Sequence, residues 1–215
     1  MTYIYPDNTY FEFNLDIDAF LSQIDANKKA FNIFGINKYI RNWKQAFYNI
    51  FESEKNQTYI IPKNQFIESI FLSGNEIRLH FSIDKAMKYV PSYNIELIPL
   101  NLFTPYPNSS NSIKFTPINI DPTKHDYTLN DTPIIIVKFA LNNFRYLTID
   151  GNHRVTARKE HNIDFIKAVL LSYHDATELL ASNFEKAIYR FAYEGFLLQD
   201  HNHYVLKNSY SHHFL

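Results

Sequence analysis

The chain has 215 residues, a net charge of −1 with its histidines neutral, 46% hydrophobic residues and no cysteine. That length and apolar content suit a globular chain with a substantial core, built as one domain or as one domain with an extension. The near-neutral charge leaves no broad basic field, so tight binding to duplex DNA by this chain alone is not expected. The lack of cysteine excludes disulfides, thiol catalysis and cysteine-based zinc sites, and fits a reducing, cytoplasmic setting. The first seven residues show no basic stretch followed by an apolar core, so no secretory signal is expected. No apolar run approaches the ~20 residues that a membrane span needs.

Residues 16–51 read as helical. Ile17, Phe20, Leu21 and Ile24 recur at helical spacing behind Asp16, a capping residue type. Gly35 ends or interrupts this region, and Ile40, Trp43, Phe47, Ile50 and Phe51 form a second apolar stripe. Such stripes normally pack inward, so core is expected there, with Lys38, Arg41 and Lys44 on a solvated face. Residues 58–61 read as a short strand stopped by Pro62, and Phe66, Ile67, Ile70 and Phe71 as a helical turn or two before a Gly74-Asn75 turn. Ile77, Leu79 and Phe81 alternate with Glu76, Arg78 and His80, the period of a half-buried strand with His80 exposed. Residues 84–89 predict a short helix, and 95–100 a strand. Pro105, Pro107 and the Asn/Ser run at 108–112 predict a flexible loop, which marks an internal boundary or a lid. The organisation expected is a mainly helical region with short strands over 1–112, packed on a unit at 113–215, or the two as one continuous domain.

Residues 114–120 read as a strand. Asp121-Pro122 then turns the chain into a polar loop whose Asp121, His125 and Asp126 are expected as plain loop residues, although they have the chemistry of an acid or base. Two runs rich in β-branched and aromatic residues, 134–139 and 144–149, predict antiparallel strands joined by a turn at Asn142 or Asn143. Asp150-Gly151 predicts a sharp bend, followed by a helix over 152–160 and a third strand over 165–171. Residues 176–195 predict one helix ending at Gly195, with Leu179, Leu180, Ala187, Ile188 and Phe191 on its apolar face. His201, His203, His212 and His213 in the tail read as adventitious metal binders, and no metal site is predicted.

The bend carries the clearest chemistry. A glycine turn opening a helix leaves backbone N–H groups unpaired, and the helix dipole adds partial positive charge there. His153 and Arg154 add donors in the first turn, and Asp150 can cap the helix or hold a divalent cation. Gly151, Asn152, His153 and Arg154 together read as a phosphate site. The plain alternative is a common Asp-Gly-Asn turn followed by an exposed arginine.

The run Tyr146-Leu147-Thr148-Ile149-Asp150-Gly151-Asn152-His153-Arg154-Val155-Thr156-Ala157 resembles the signature of the ParB/sulfiredoxin-like superfamily, in its Asp-Gly-x-His-Arg form. The preceding Thr132-Pro133-Ile134-Ile135-Ile136-Val137 is similar to that group's Pro-Ile-x-Val strand, and the resemblance covers residues 114–172. With the predicted elements it implies an α+β fold, a small mixed sheet of that type with helices from the N-terminal half and the C-terminus packed on it. It further implies a nucleotide pocket at residues 151–154, taking ATP or CTP with Mg²⁺, with nucleotide hydrolysis or phosphoryl transfer as the chemistry. Asp150 and His153 are then the catalytic candidates. Asp150 would fix the turn or the Mg²⁺, and His153 would donate to phosphate beside Arg154 and the backbone. Two departures narrow this. Asn152 stands where sulfiredoxins carry their catalytic cysteine, which excludes that reduction. About 40 residues follow Ser172, too few for the DNA-binding and dimerisation parts of a partitioning protein. A binding or regulatory module of phage or plasmid type, with a protein partner and no catalysis, is the second reading. A nuclease is the third, opposed by the neutral charge.

Overall fold

A computed structural model shows an α+β protein, with six α-helices, a three-stranded antiparallel sheet, a two-stranded sheet and a six-stranded mixed sheet among the described residues. The structure describes residues 2–4, 10–13, 16–27, 35–60, 63–72, 75–107, 111–120, 129–141, 144–209 and 211. In chain order come β1 (Thr2–Ile4), β2 (Tyr10–Phe13), α1 (Ile17–Asn27), α2 (Ile36–Glu54), β3 (Tyr59–Ile60), β4 (Gln65–Leu72), β5 (Asn75–Ser82) and α3 (Ile83–Tyr89). They are followed by β6 (Glu96–Pro99), β7 (Phe103–Thr104), β8 (Ile113–Lys114), β9 (Ile134–Lys138), β10 (Tyr146–Asp150), α4 (Asn152–Glu160), β11 (Phe165–Leu171), α5 (Tyr173–Glu178) and α6 (Asn183–Asn208).

The chain divides into two compact units. Unit 1 is Met1–Lys63, Ile67–His80 and Leu180–Leu215; unit 2 is Asn64–Phe66 and Phe81–Leu179. These are not the halves 1–112 and 113–215. β6 and β7 precede residue 112 yet lie in the same sheet as β8 to β11, while α6 packs on α2 from the far end of the chain.

Unit 1 is organised on α2, which buries Ile36, Tyr39, Ile40, Trp43, Ala46, Phe47 and Ile50 along one stripe, as its helical period dictates. Two of its aromatic pairs meet edge-on: Phe20 and Phe47 rings lie 5.2 Å apart at 89°, and Phe47 and Phe191 5.6 Å apart at 86°, an arrangement that ring quadrupoles favour. Trp43 Nε1 donates to Glu194 Oε2 at 2.8 Å. The Glu54 carboxylate accepts from the N–H groups of Asn183 and Phe184, both at 3.1 Å, so a buried acid closes the start of α6. The single helix expected over 176–195 is two helices. Ser172 Oγ accepts from Asp175 N and Ser182 Oγ from Glu185 N, so each helix has its own N-cap. Gly195 lies inside α6, where a Cβ would meet nothing within 4 Å, so it ends no helix. The expected helical turns at residues 66–71 are instead strand β4. His80 is fully buried rather than exposed. Glu185 accepts from its backbone N–H at 2.9 Å and lies 3.0 Å from its Nδ1.

Unit 2 is built on the six-stranded sheet, in the order β6-β11-β9-β10-β8-β7. β10 runs antiparallel to β9 and parallel to β8; β11 runs parallel to β9 and antiparallel to β6. Strand, strand, bend, helix and strand therefore follow in the expected order, with the expected antiparallel pair. The core joins Leu100, Phe103, Ile113, Phe115, Ile134, Ile136, Ile166 and Ala168 to Val155 of α4, so the helix covers the sheet face that these residues share. The strand expected over 114–120 is only β8. Beyond it Phe115 N still donates to Thr104 O of β7 at 3.4 Å, and then Thr116 N and Ile118 N donate to side chains of α4. The Asn142 and Asn143 turn, Gly74, Asp121, His125, Asp126, His212, His213 and the side chains of His201 and His203 lie outside the described residues.

Candidate functional site

β10 delivers Asp150 to the bend. The register between β9 and β10 shifts between Thr148 and Asp150, so the strand end is turned out of a regular ladder. Gly151 follows at φ 93°, ψ 17°, the left-handed conformation, and stands as N-cap of α4 with no side-chain cap bond. Two requirements converge on this glycine. Its φ disfavours any Cβ, and a Cβ there would meet Ile134 Cγ2 at 2.3 Å and Ile134 Cβ at 2.8 Å. The missing side chain thus lets the sheet and the helix approach closely.

The predicted site residues divide between interior and surface. Asn152 is buried. Its Oδ1 accepts from Thr116 N at 2.8 Å and its Nδ2 donates to Thr148 O at 3.3 Å. Arg154 is buried as well. Its Nη2 donates to Asp150 Oδ2 at 2.7 Å, and its Nη1 to Thr132 O at 2.5 Å and Pro133 O at 3.4 Å. Asp150 is about one-third exposed and has this one oxygen engaged by the guanidinium. His153 is exposed, on the outer side of the first turn. The structure therefore brings Asp150 and Arg154 together, commits Asn152 and Arg154 inward, and leaves His153 outward beside the first-turn amides.

Other residues of α4 extend the inward pattern. Thr156 Oγ1 donates to Asn152 O and accepts from Ile118 N at 3.3 Å. Arg158, one helical turn beyond Arg154, donates to Asn130 O at 3.2 Å, Phe165 O at 3.3 Å and Asp131 Oδ1 at 3.1 Å. Lys167 completes that pair at 2.5 Å, and its ammonium, with Arg158, holds the exposed Asp131 carboxyl below the usual carboxylate range. Lys159 Nζ donates to Leu100 O and Phe103 O, both at 3.0 Å. Arg154, Arg158 and Lys159 thus each donate to backbone carbonyls of neighbouring segments. Arg158, Lys159 and Thr156 were not among the sequence candidates. The spacing of Arg154 and Arg158 marks a shared helix face, but nothing in the sequence identifies residues 130–133 as their target.

The bend's chemistry follows from these placements. It offers first-turn N–H groups without a side-chain cap, an imidazole at the surface, and one carboxylate held in place by a guanidinium. For Mg²⁺ the described residues of the bend supply Asp150 alone, which fits a metal that keeps several waters and is bound through one carboxylate and substrate phosphates. Compared with protein-family models, with curated proteins and with solved structures, the chain gives no match.

Proposed function

We propose that unit 2 is a nucleotide-phosphate-binding module of ParB/sulfiredoxin-like plan, in which the first-turn amides of α4 and His153 take the phosphates of ATP or CTP. The observation that carries this reading is the start of α4 on left-handed Gly151 without a side-chain cap, with His153 exposed beside it. Helix N-termini of this kind suit anions because unpaired N–H groups and the dipole act together. Arg154 is a positioning residue in this reading. It orients Asp150 and anchors the carbonyls of Thr132 and Pro133. Mg²⁺, when bound, neutralises phosphate charge, and Asp150 is the residue that would hold it. A second reading, binding without turnover, has an observation in its favour. Arg154 and Arg158, the arginines nearest the bend, are both buried in internal bonds, whereas phosphoryl transfer depends on charge neutralisation at the phosphates.

Thermal-shift titration tests the proposal. ATP or CTP with Mg²⁺ should raise the melting temperature of the wild type, since a ligand at about 100 times its Kd stabilises the native state by about 2.7 kcal/mol. His153→Ala should weaken binding by about 10-fold, the loss of one charge-assisted hydrogen bond. The absence of a shift with ATP, ADP, CTP and GTP would defeat the nucleotide reading. Equal shifts for wild type and His153→Ala would move the contact away from this bend. Phosphate release measured on the same samples separates hydrolysis from binding alone.

A further inference from the structure

Unit 1 holds a polar recess, between α1 and α2 and remote in sequence from the bend. Its volume is about 610 Å³, and its lining includes Asn37, Arg41, Lys44, Gln45 and Tyr48 from α2 and Asp25 from α1. The α2 residues fall at intervals of three and four, so they share one face of the helix. Among the described residues Asp25 is the acid of the recess, and it is ion-paired to Lys44. Arg41 is exposed and, among the described residues, has no acidic partner. Gln45 donates its amide to Asn49 Oδ1 at 2.8 Å, which leaves its carbonyl as an acceptor. Tyr48 is 43% exposed and ends the stripe with an aromatic face and a hydroxyl. Arg41 and Tyr48 are seven residues apart, roughly 10 Å along the helix. The helix adds to the local field, since α2 starts on Gly35 with no side-chain cap and no acidic residue in its first turn.

We propose that this recess binds a small phosphomonoester carrying hydroxyl groups, with Arg41 as the principal phosphate contact. The charge pattern selects an anion, because the acid of the recess is already neutralised by Lys44 while the guanidinium of Arg41 is not. The guanidinium fork matches two phosphate oxygens at once, which an ammonium cannot do. Asn37 adds an amide donor, and the Gln45 carbonyl accepts from a ligand hydroxyl. A recess with this share of polar groups suits a hydroxylated phosphate better than an apolar ligand.

Calorimetric titration with ribose 5-phosphate, AMP, inorganic phosphate and ribose tests the assignment on the full chain. Ribose 5-phosphate and AMP should bind saturably and more tightly than inorganic phosphate or ribose. Arg41→Ala should weaken both by about 10- to 100-fold, and Arg41→Lys by less. Arg41 is exposed, so both variants should keep the wild-type circular dichroism melt. Arg41 belongs to unit 1 and the bend to unit 2, so dependence on Arg41 separates this recess from the bend. The assignment is overturned if neither ribose 5-phosphate nor AMP binds at about 10 mM, a threshold weaker than most small-ligand sites. It is also overturned if Arg41→Ala binds like wild type, or if inorganic phosphate binds as tightly as ribose 5-phosphate.

Discussion

Gly151→Ala is expected to destabilise unit 2 by about 2–5 kcal/mol. A left-handed backbone costs an L-residue roughly 1–2 kcal/mol, and forcing an extra carbon into a packed region adds about 1–3 kcal/mol. Both terms apply, because Gly151 has φ 93° and its added Cβ would lie 2.3 Å from Ile134 Cγ2. Native-state hydrogen exchange of the β9 and β10 amides reads this loss in unit 2 itself. Gly195→Ala is the control. It adds a Cβ where nothing lies within 4 Å, inside α6, and should be neutral or stabilising by up to about 1 kcal/mol. Unchanged protection in Gly151→Ala would show that Ile134 yields without strain, and the close approach would then have no energetic weight.

Glu185→Ala should cost unit 1 about 3–5 kcal/mol, the range found when one partner of a buried pair is removed. Glu185 is 1% exposed. It accepts from His80 N at 2.9 Å and Ala181 N at 3.4 Å and lies 3.0 Å from His80 Nδ1. Removal leaves His80 in the core, without these contacts and fully buried. Glu185→Gln retains a side-chain acceptor and should cost less. Urea denaturation of the three proteins checks the order. If alanine and glutamine were equally mild, the pair would contribute packing alone.

The same pair shows where sequence reading stopped. The alternation of Ile77, Leu79 and Phe81 marks β5, but His80 sits among the polar positions of that pattern. Its acid lies 105 residues away, and no local pattern announces such a partner. β4 was illegible for another reason. Its exposed Ile67 and Phe71 and its buried Glu68 and Ile70 cut across the polarity that alternation relies on. The split between α5 and α6 is legible in the sequence, since Ser182-Asn183-Phe184-Glu185 is a capping-box sequence. The segment from β9 to β11 could be read because its apolar runs are continuous and Asp150-Gly151 punctuates them. At the bend, the residues could be named but not their directions. Arg154 points inward because Thr132, Pro133 and Asp150 offer it acceptors, and only the folded chain brings those together with it.

The discontinuous build of unit 1 bears on the order in which the chain matures on the ribosome. Unit 2 is complete once residue 179 has emerged, and Ser82 N already meets Leu179 O at 3.0 Å across its two ends. Unit 1 must wait for α6, which supplies Phe184 and Phe191 to the aromatic cluster and Glu194 to Trp43. Until then α2 presents Trp43 and Phe47 without those partners, the kind of transiently exposed apolar surface that recruits chaperones or aggregates. Vectorial synthesis therefore makes the middle of this chain native before its beginning. Pulse proteolysis of nascent chains arrested with residue 180 outside the exit tunnel should find unit 2 protected and α2 cleaved, and protection of α2 at that length would contradict this order.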